Sequence, residues 1–556
     1  MRAEGERDDR RDDDGGVDVS TAQGRRKRWR PRPDAPALVA LLLGLAGLGY
    51  RLVLTLLTLP TSNSDEATFG LAAMHIAAGR EHPVFLYGQR YMGMAEAYLA
   101  APLIAVAGPS WPALRLPVLV LHAVFVWLLY LLTRRICSPW FAAFMVGLLA
   151  LGSERVVRDQ LTAVGGRPEA KPAVVLMLLI VVGLAERRIH HRRLAVGLFG
   201  LLAGLAVWSD WLVLPYLAVA GLLLLRVSGR ELVGWAGVLL VGGFLLGAAP
   251  LIHDNLVAPP GQGSLSVLRE VNAGTGAHPT WPARLAGGLL ESVPLAAGLC
   301  PGYGCARATI WYGLLYLPLL VGAVVLAVVA YRRAAGRPAG IRVRPLTHLA
   351  LLAGAGLTLL AYVRSPLAAI EPLGNARYLS VLQISLPAVL WPLWLAAAHA
   401  RRGTAGVAGR IGGALAAGAL AVLTVATLAA TVGFLATSGG LREQERQAQR
   451  LADEVRRLGL REVYGEYWTC NRLTFNTGEE VVCAVVDGQL TPGFNRYRPY
   501  WARVGRAARP GYVLAVDSPA DRRLRALLGD RAEDAKVAEL GGYRVYHPET
   551  AVRPWR

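Results

Sequence analysis

Lysine is nearly absent. Only Lys27, Lys171 and Lys536 interrupt a basic complement of 59 residues that is otherwise arginine, a bias that a GC-rich genome imposes. Acidic residues are short as well, 39 against 59 basic, which leaves a formal net charge of +20. That charge does not point to nucleic acid, because no folded soluble segment carries a basic face with interleaved aromatics. Cysteine is limited to five positions, and neither candidate pair has a second pair at close metal-ligand spacing, which disfavours structural zinc. No short apolar segment with a small-residue cleavage site follows the N-terminus, so a removable signal is not expected. The sequence holds no internal repeat, and its apolar runs lack the alternation that membrane barrels need.

What is present in excess is hydrophobic sequence, 54% of 556 residues with a mean hydropathy of +0.38. It comes in blocks about as long as a helix needs to cross a ~30 Å hydrocarbon layer. Only helices and closed barrels satisfy their backbone in lipid, so these blocks predict a polytopic α-helical membrane protein. Eleven spans are expected, near 36–60, 114–133, 139–152, 172–186, 194–208, 210–225, 232–252, 309–330, 346–363, 378–399 and 411–437. The short runs 139–152 and 194–208 decide the register, since losing one inverts everything after it.

Residues 1–35, rich in Asp and Arg, have little to bury and are expected to be disordered in the cytoplasm. Basic clusters at Arg134-Arg135, Arg187 to Arg193, Arg226/Arg230, Arg332 to Arg344 and Arg401 to Arg410 then all fall on the cytoplasmic side of one alternating register. The same register puts Cys300, Cys305, Cys470 and Cys483 outside and Cys137 alone inside, the distribution an oxidising exterior produces for two disulfides. Residues 36–437 form the membrane domain, with a first outer loop at 61–113. Residues 438–556 follow as an extracytoplasmic domain. Its amphipathic helix at 441–458, strand-like runs at 462–468, 480–486, 511–516 and 543–547, and helix at 519–528 predict a compact α/β fold.

The first outer loop opens Thr61-Ser62-Asn63-Ser64-Asp65-Glu66 and continues through YGQRYMGMAEAYL (87–99) to ALRLP (113–117) at the start of the next span. An acidic pair directly beyond the first span is unusual for a mere connector. This loop, the late Asn375-Ala376-Arg377-Tyr378 at a helix mouth, and the tail stretches Gly465 to Trp468 and Arg496 to Tyr500 resemble the GT-C superfamily of polyprenyl-phosphate-sugar glycosyltransferases. The protein mannosyltransferase and aminoarabinose transferase branch is the nearest in pattern. The resemblance implies a GT-C-like fold, a lipid-phosphate sugar donor, an acceptor glycan, lipid or protein, and inversion at the anomeric carbon.

The chemistry of such a transfer needs a base for the acceptor hydroxyl. Its leaving group is already a phosphate anion, so cations rather than a second acid should stabilise it. Asp65 suits the base. Glu66, rotated about 100° from it on a helix, suits a helper, acceptor contact or metal ligand. A helix N-cap is the other explanation of Asp65. Arg377 with Tyr378, and Arg90, are candidates for the donor phosphate; an interfacial cation is the plainer account of Arg377. Gln89, Tyr91, Glu96, Arg158, Arg167 and Lys171 are candidate substrate contacts, although a solvated charged loop is the commoner explanation of the last three. No cofactor is demanded; a divalent cation is the one that carboxylates here would accept. A transporter or lipid flippase would place its ionisable residues within repeated, interrupted spans, and a non-enzymatic envelope assembly protein would leave the acidic pair without a task.

Overall fold

A computed structural model describes residues 34–273, 278–300, 305, 309–401 and 406–555. The expected disordered segment, residues 1–33 of it, lies outside the described residues. Eight helices are long and apolar enough to cross a membrane, and three further pairs bent by more than 40° bring the count to 11 if each is one span. The protein is a multi-pass helical membrane protein.

The short run 139–152 forms the helix Pro139–Ala150, which bends by 96° into Glu154–Leu161. The break strands carbonyls at membrane depth, where water does not supply partners. Arg51, in the first helix Ala35–Leu56 and 1% exposed, fills that need: its guanidinium donates to Leu149 O at 2.9 Å, Ala150 O at 2.8 Å and Gln160 Oε1 at 2.6 and 2.8 Å. Arg51→Met should therefore lower the stability of the purified protein by about 1–3 kcal/mol for each stranded carbonyl, read as a fall in its unfolding temperature in detergent. An unchanged temperature would show that the bend satisfies itself.

The Glu154–Leu161 helix returns the chain to the face that carries the first loop, since Arg158 Nη1 donates to Thr61 O at 2.7 Å. Asp34, at the other end of the first helix, pairs with Arg134 at 3.0 Å. One face thus holds the 61–113 loop, and the opposite face holds Asp34 and Arg134. The helices Arg192–Ser209 and Trp235–Gly247 touch backbone to backbone. A Cβ on Gly200 would sit 2.1 Å from Leu240 O, so only glycine permits this packing.

The last apolar helix does not end where the hydrophobicity does. It runs unbroken from Val407 to Arg457, so the amphipathic stretch at 441–458 is its continuation rather than a separate element. Beyond it, β1 (Glu462–Gly465), β2 (Val482–Val485), β3 (Gly511–Ala515), β4 (Lys536–Leu540) and β5 (Tyr543–Tyr546) form one sheet in the order β2-β1-β3-β5-β4. β1 pairs parallel with β2 and β3, whereas β5 runs antiparallel to β3 and β4. The run 462–468 is not one strand. It stops at Gly465, and a helix, Tyr467–Asn476, crosses over to β2. The Cys470–Cys483 disulfide therefore ties that helix to β2, not one strand to the next; Cys300 and Cys305 are also joined.

This tail packs on the first loop. The Tyr467–Asn476 helix lies against the loop helix Ser64–Ala77 so closely that a Cβ on Gly70 would meet the Phe475 ring at 2.5 Å. Asn471 Nδ2 donates to Thr68 Oγ1 at 2.9 Å, and Trp111 Nε1 donates to Asn476 Oδ1 at 3.0 Å. Glu479 is the polar centre of the contact: His75 Nε2 lies 2.9 Å away, Tyr500 donates at 2.7 Å, and Arg80 pairs with it. Burial works against the Glu479 carboxylate, but those three hydrogen bonds outweigh it and hold the group down to about 2. A carboxylate lowered on folding contributes stability above its ordinary value, and the contribution is lost as pH falls through the folded value. The tail should thus stay docked at pH 5 and loosen between 4.5 and about 2, seen as rising hydrogen exchange in 64–77. Glu479→Gln should remove that acid transition; if it leaves the transition in place, another group governs docking.

Candidate functional site

Where the loop, the tail and the ends of the membrane helices on the same face meet, a cavity of about 440 Å³ opens, lined in part by Asp65, Gln89, Tyr91, Arg167, Asp210, Arg377, Tyr378 and Arg496. Apolar side chains, Phe69, Trp211 and Leu212 among them, complete the wall. Three arginines face two aspartates, a balance that favours an anionic ligand.

Asp65 sits in the first turn of Ser64–Ala77, and it is not the cap. Asn63 caps the helix, its side chain accepting from Glu66 N–H at 2.9 Å. Asp65 is left with its side chain 30% exposed. Arg496 Nη2 donates to Asp65 Oδ1 at 2.7 Å, and the Tyr467 hydroxyl donates to the same oxygen. Arg496 Nε in turn donates to the Tyr467 oxygen at 2.5 Å. Burial pushes the Tyr467 phenol well above its usual value despite the Arg496 charge, so it remains protonated and a donor. Both bonds fall on Oδ1, which leaves Oδ2 to receive a proton.

Glu66 goes elsewhere. It is fully buried and takes a two-pronged ion pair from Arg115, Nε and Nη2 both at 2.7 Å. The 100° step between neighbours on a helix separates one carboxylate in the cavity from one in the packing between Ser64–Ala77 and Trp111–Ile136. The carboxylate expected as helper, acceptor contact or metal ligand is thus occupied by Arg115, and Glu66 is not among the residues lining the cavity.

Arg377 lines the cavity, stacked over Tyr378 at 5.2 Å and donating to its hydroxyl at 3.3 Å, while its buried Nε has no partner among the described residues. Asn375 is buried and donates to Leu367 O and Glu371 O, which fixes the turn that presents Arg377. Arg167 also lines the cavity, held by Asp159 at 3.5 Å and Val164 O at 3.2 Å.

The remaining candidates separate by position. Gln89 and Tyr91 face the cavity, but Arg90 between them is committed to Asp254, with bonds of 3.0 and 3.2 Å that pin the loop to the helix Ala249–Val257. Arg90, expected at the donor phosphate, is not among the residues lining the cavity. Glu96 is not among them either: buried, it accepts Gly165 N–H at 2.9 Å, and burial pushes its carboxyl up to about 7. Arg158 bonds Glu154 and Thr61, holding the start of the loop. Lys171 is buried below, 3.4 Å from Gln383 Oε1 and over the Phe125 ring at 5.6 Å. Neither Arg158 nor Lys171 is among the cavity-lining residues. Among the described residues no group of three His, Cys, Asp or Glu side chains is placed to hold a metal ion.

Sequence reasoning assigned no role to Tyr467, Arg496 or Asp210. The first two lie in the aromatic stretches Gly465 to Trp468 and Arg496 to Tyr500, the only local signal. Asp210, in a part of the chain the motifs do not cover, caps the turn at Leu212 with a 2.9 Å bond.

No protein-family model and no curated protein matches the sequence. Solved structures do match the fold. ArnT from Cupriavidus metallidurans bound to undecaprenyl phosphate superposes with a TM-score of 0.53 at 14% identity, over 92% of this chain and 97% of that one. Its apo state gives 0.49 at 16% identity over the same shares, 92% and 97%. The apo Archaeoglobus fulgidus oligosaccharyltransferase gives 0.45 at 12% identity, over 88% of this chain and 70% of that one. The first of these, together with the 8 to 11 spans and the small C-terminal sheet found among the described residues, fixes the architecture: the chain is a multi-pass membrane protein with the fold of that ArnT structure.

Proposed function

We propose that the protein is an integral membrane glycosyltransferase that moves a sugar from a polyprenyl-phosphate donor to an acceptor hydroxyl, with inversion at the anomeric carbon. The observation that carries this reading is one cavity in which a half-open carboxylate, Asp65, stands among Arg167, Arg377 and Arg496. A structure of the same fold that holds undecaprenyl phosphate supports the donor class. Asp65 Oδ2 takes the proton of the acceptor hydroxyl as its oxygen attacks the anomeric carbon. The bond from that carbon to the phosphate breaks, and the electron pair leaves on the phosphate. Arg377 and Arg167 carry the charge that develops there. Arg496 and Tyr467 act through Asp65 by fixing its rotamer, so the tail completes the site. Inversion follows if the acceptor attacks opposite the leaving phosphate.

The donor headgroup belongs to the face where five basic clusters are absent. That face is read as extracytoplasmic, with the tail outside and the N-terminus inside. A secreted-only reporter fused at residue 440 should be active and a cytoplasm-only reporter inactive; the reverse pattern would invert the assignment. Comparing the lipid-linked sugars of a deletion strain with its parent tests the function itself. Accumulation of one polyprenyl-phosphate sugar names the donor, and identical profiles reject the reading.

A further inference from the structure

A second concavity lies in the tail, outside the cavity just described. It is a groove of about 270 Å³ between the outer extension of Val407–Arg457 and the helix Tyr467–Asn476. Its third wall is the β4–β5 turn at Gly541–Gly542, both glycines at positive φ, where a Cβ on Gly541 would lie 3.6 Å from Gln447 Cβ. Trp468 borders it with 62% of its surface exposed. Around that indole stand Gln444, Gln447, Arg472, Asn476 and Tyr543.

The chemistry of this lining is specific. The one cation is neutralised, since Arg472 Nη2 donates to Glu445 at 2.7 Å, so the groove offers no net charge to a phosphate. It offers instead a flat aromatic face ringed by amides, a guanidinium edge and a phenol. A neutral polyhydroxylated ring uses all of these at once: its C–H face covers the indole, and its hydroxyls donate to and accept from the side-chain amides. Among the described residues the groove and the cavity share no lining residue, but one helix ties them: Trp468 follows Tyr467, whose hydroxyl is bonded to Asp65. Glu445, which holds Arg472, also accepts from Ser62 N–H at 3.0 Å, three residues before Asp65.

We infer that this groove binds carbohydrate and that the acceptor is a glycan, held on Trp468 by units beyond the one that reacts. The inference rests on the glycosyltransferase reading for its purpose but not for its measurement. Detergent-purified full-length protein is applied to an array of immobilised bacterial-envelope oligosaccharides (mannan, galactan, arabinan and peptidoglycan fragments) with no donor present. Wild-type protein and Asp65→Asn should both be retained by one oligosaccharide class. Trp468→Ala should bind it at least tenfold more weakly, and Trp468→Tyr should restore most of the binding because it keeps an aromatic face. Retention of no oligosaccharide by wild-type protein, or equal retention by Trp468→Ala, overturns the inference. So does quenching of a fluorophore at Trp468→Cys by spin-labelled lipid in proteoliposomes, which would make the indole a membrane-interface anchor. Because no turnover is read, a failed transferase assay and a failed glycan site are told apart.

Discussion

Asp65→Asn should abolish sugar transfer by the purified enzyme while leaving its expression and donor binding close to wild type. Removing a positioned general base costs ~10²–10⁴-fold in rate. The substitution is a clean one here, because Asn63 and not Asp65 caps the Ser64–Ala77 helix. The amide still accepts from the Tyr467 hydroxyl, so the change removes the proton acceptor and the charge facing Arg496 while keeping the shape. Asn63→Ala supplies the contrast: it should cost about 1 kcal/mol of stability through the lost cap, with little effect on the rate of the folded enzyme. If Asp65→Asn keeps more than about a tenth of the wild-type rate, less than that base contribution permits, Asp65 is not the base. Asp210, the other carboxylate lining the cavity, then becomes the candidate, because Glu66 is locked against Arg115.

Arg377→Ala should act on binding and rate together. A charge-assisted hydrogen bond contributes about 1.5–3 kcal/mol, which corresponds to roughly a 10- to 150-fold loss of donor affinity. The loss in kcat/KM should be larger, since the phosphate gains negative charge as the sugar leaves. Arg377→Lys should recover only part of it: an ammonium keeps the charge but not the planar fork that stacks on Tyr378. Donor titration of the Asp65→Asn background separates the effects. Unaltered donor affinity in Arg377→Ala would return that side chain to a snorkelling cation at the helix mouth.

The sequence made the membrane architecture plain because hydrophobic length is a one-dimensional property. Eleven runs were expected, and 8 helices plus three bent pairs are found among the described residues; the bends themselves were not visible, and the run read as 139–152 stops short of the charged helix Glu154–Leu161 that follows its bend. The end of the last helix was misplaced for a different reason. Ser438-Gly439-Gly440 looks like a breaker, at ~1 kcal/mol per glycine in a helix. The helix continues because its outer extension is fastened downstream, Glu445 taking bonds from Ser62 and Arg472. β4 went unrecognised because it is a charged edge strand, KVAEL, with no buried residue to give it a pattern.

At the site, proximity along the chain was legible and proximity in space was not. Asp65, Gln89, Tyr91, Arg167, Arg377 and Tyr378 were found from motifs and do line one cavity. Arg496 lies 431 residues from the carboxylate it bonds, and nothing local in its sequence declares the pairing. Arg90, Glu96 and Arg158 were read from their charge as donor or substrate contacts; they bond Asp254, Gly165 and Thr61, and none of the three lines the cavity.

Consumption of a lipid-phosphate sugar donor is expected to depend on Asp65 as the base for the acceptor hydroxyl. Purified protein in detergent, given a polyprenyl-phosphate sugar labelled in the sugar and an acceptor glycan, should release free polyprenyl phosphate in step with label on the acceptor, with the anomeric configuration inverted. Asp65→Asn should bind the same donor and release none. Donor that stays intact with wild-type protein and a competent acceptor, or that is consumed equally by Asp65→Asn, would contradict the account.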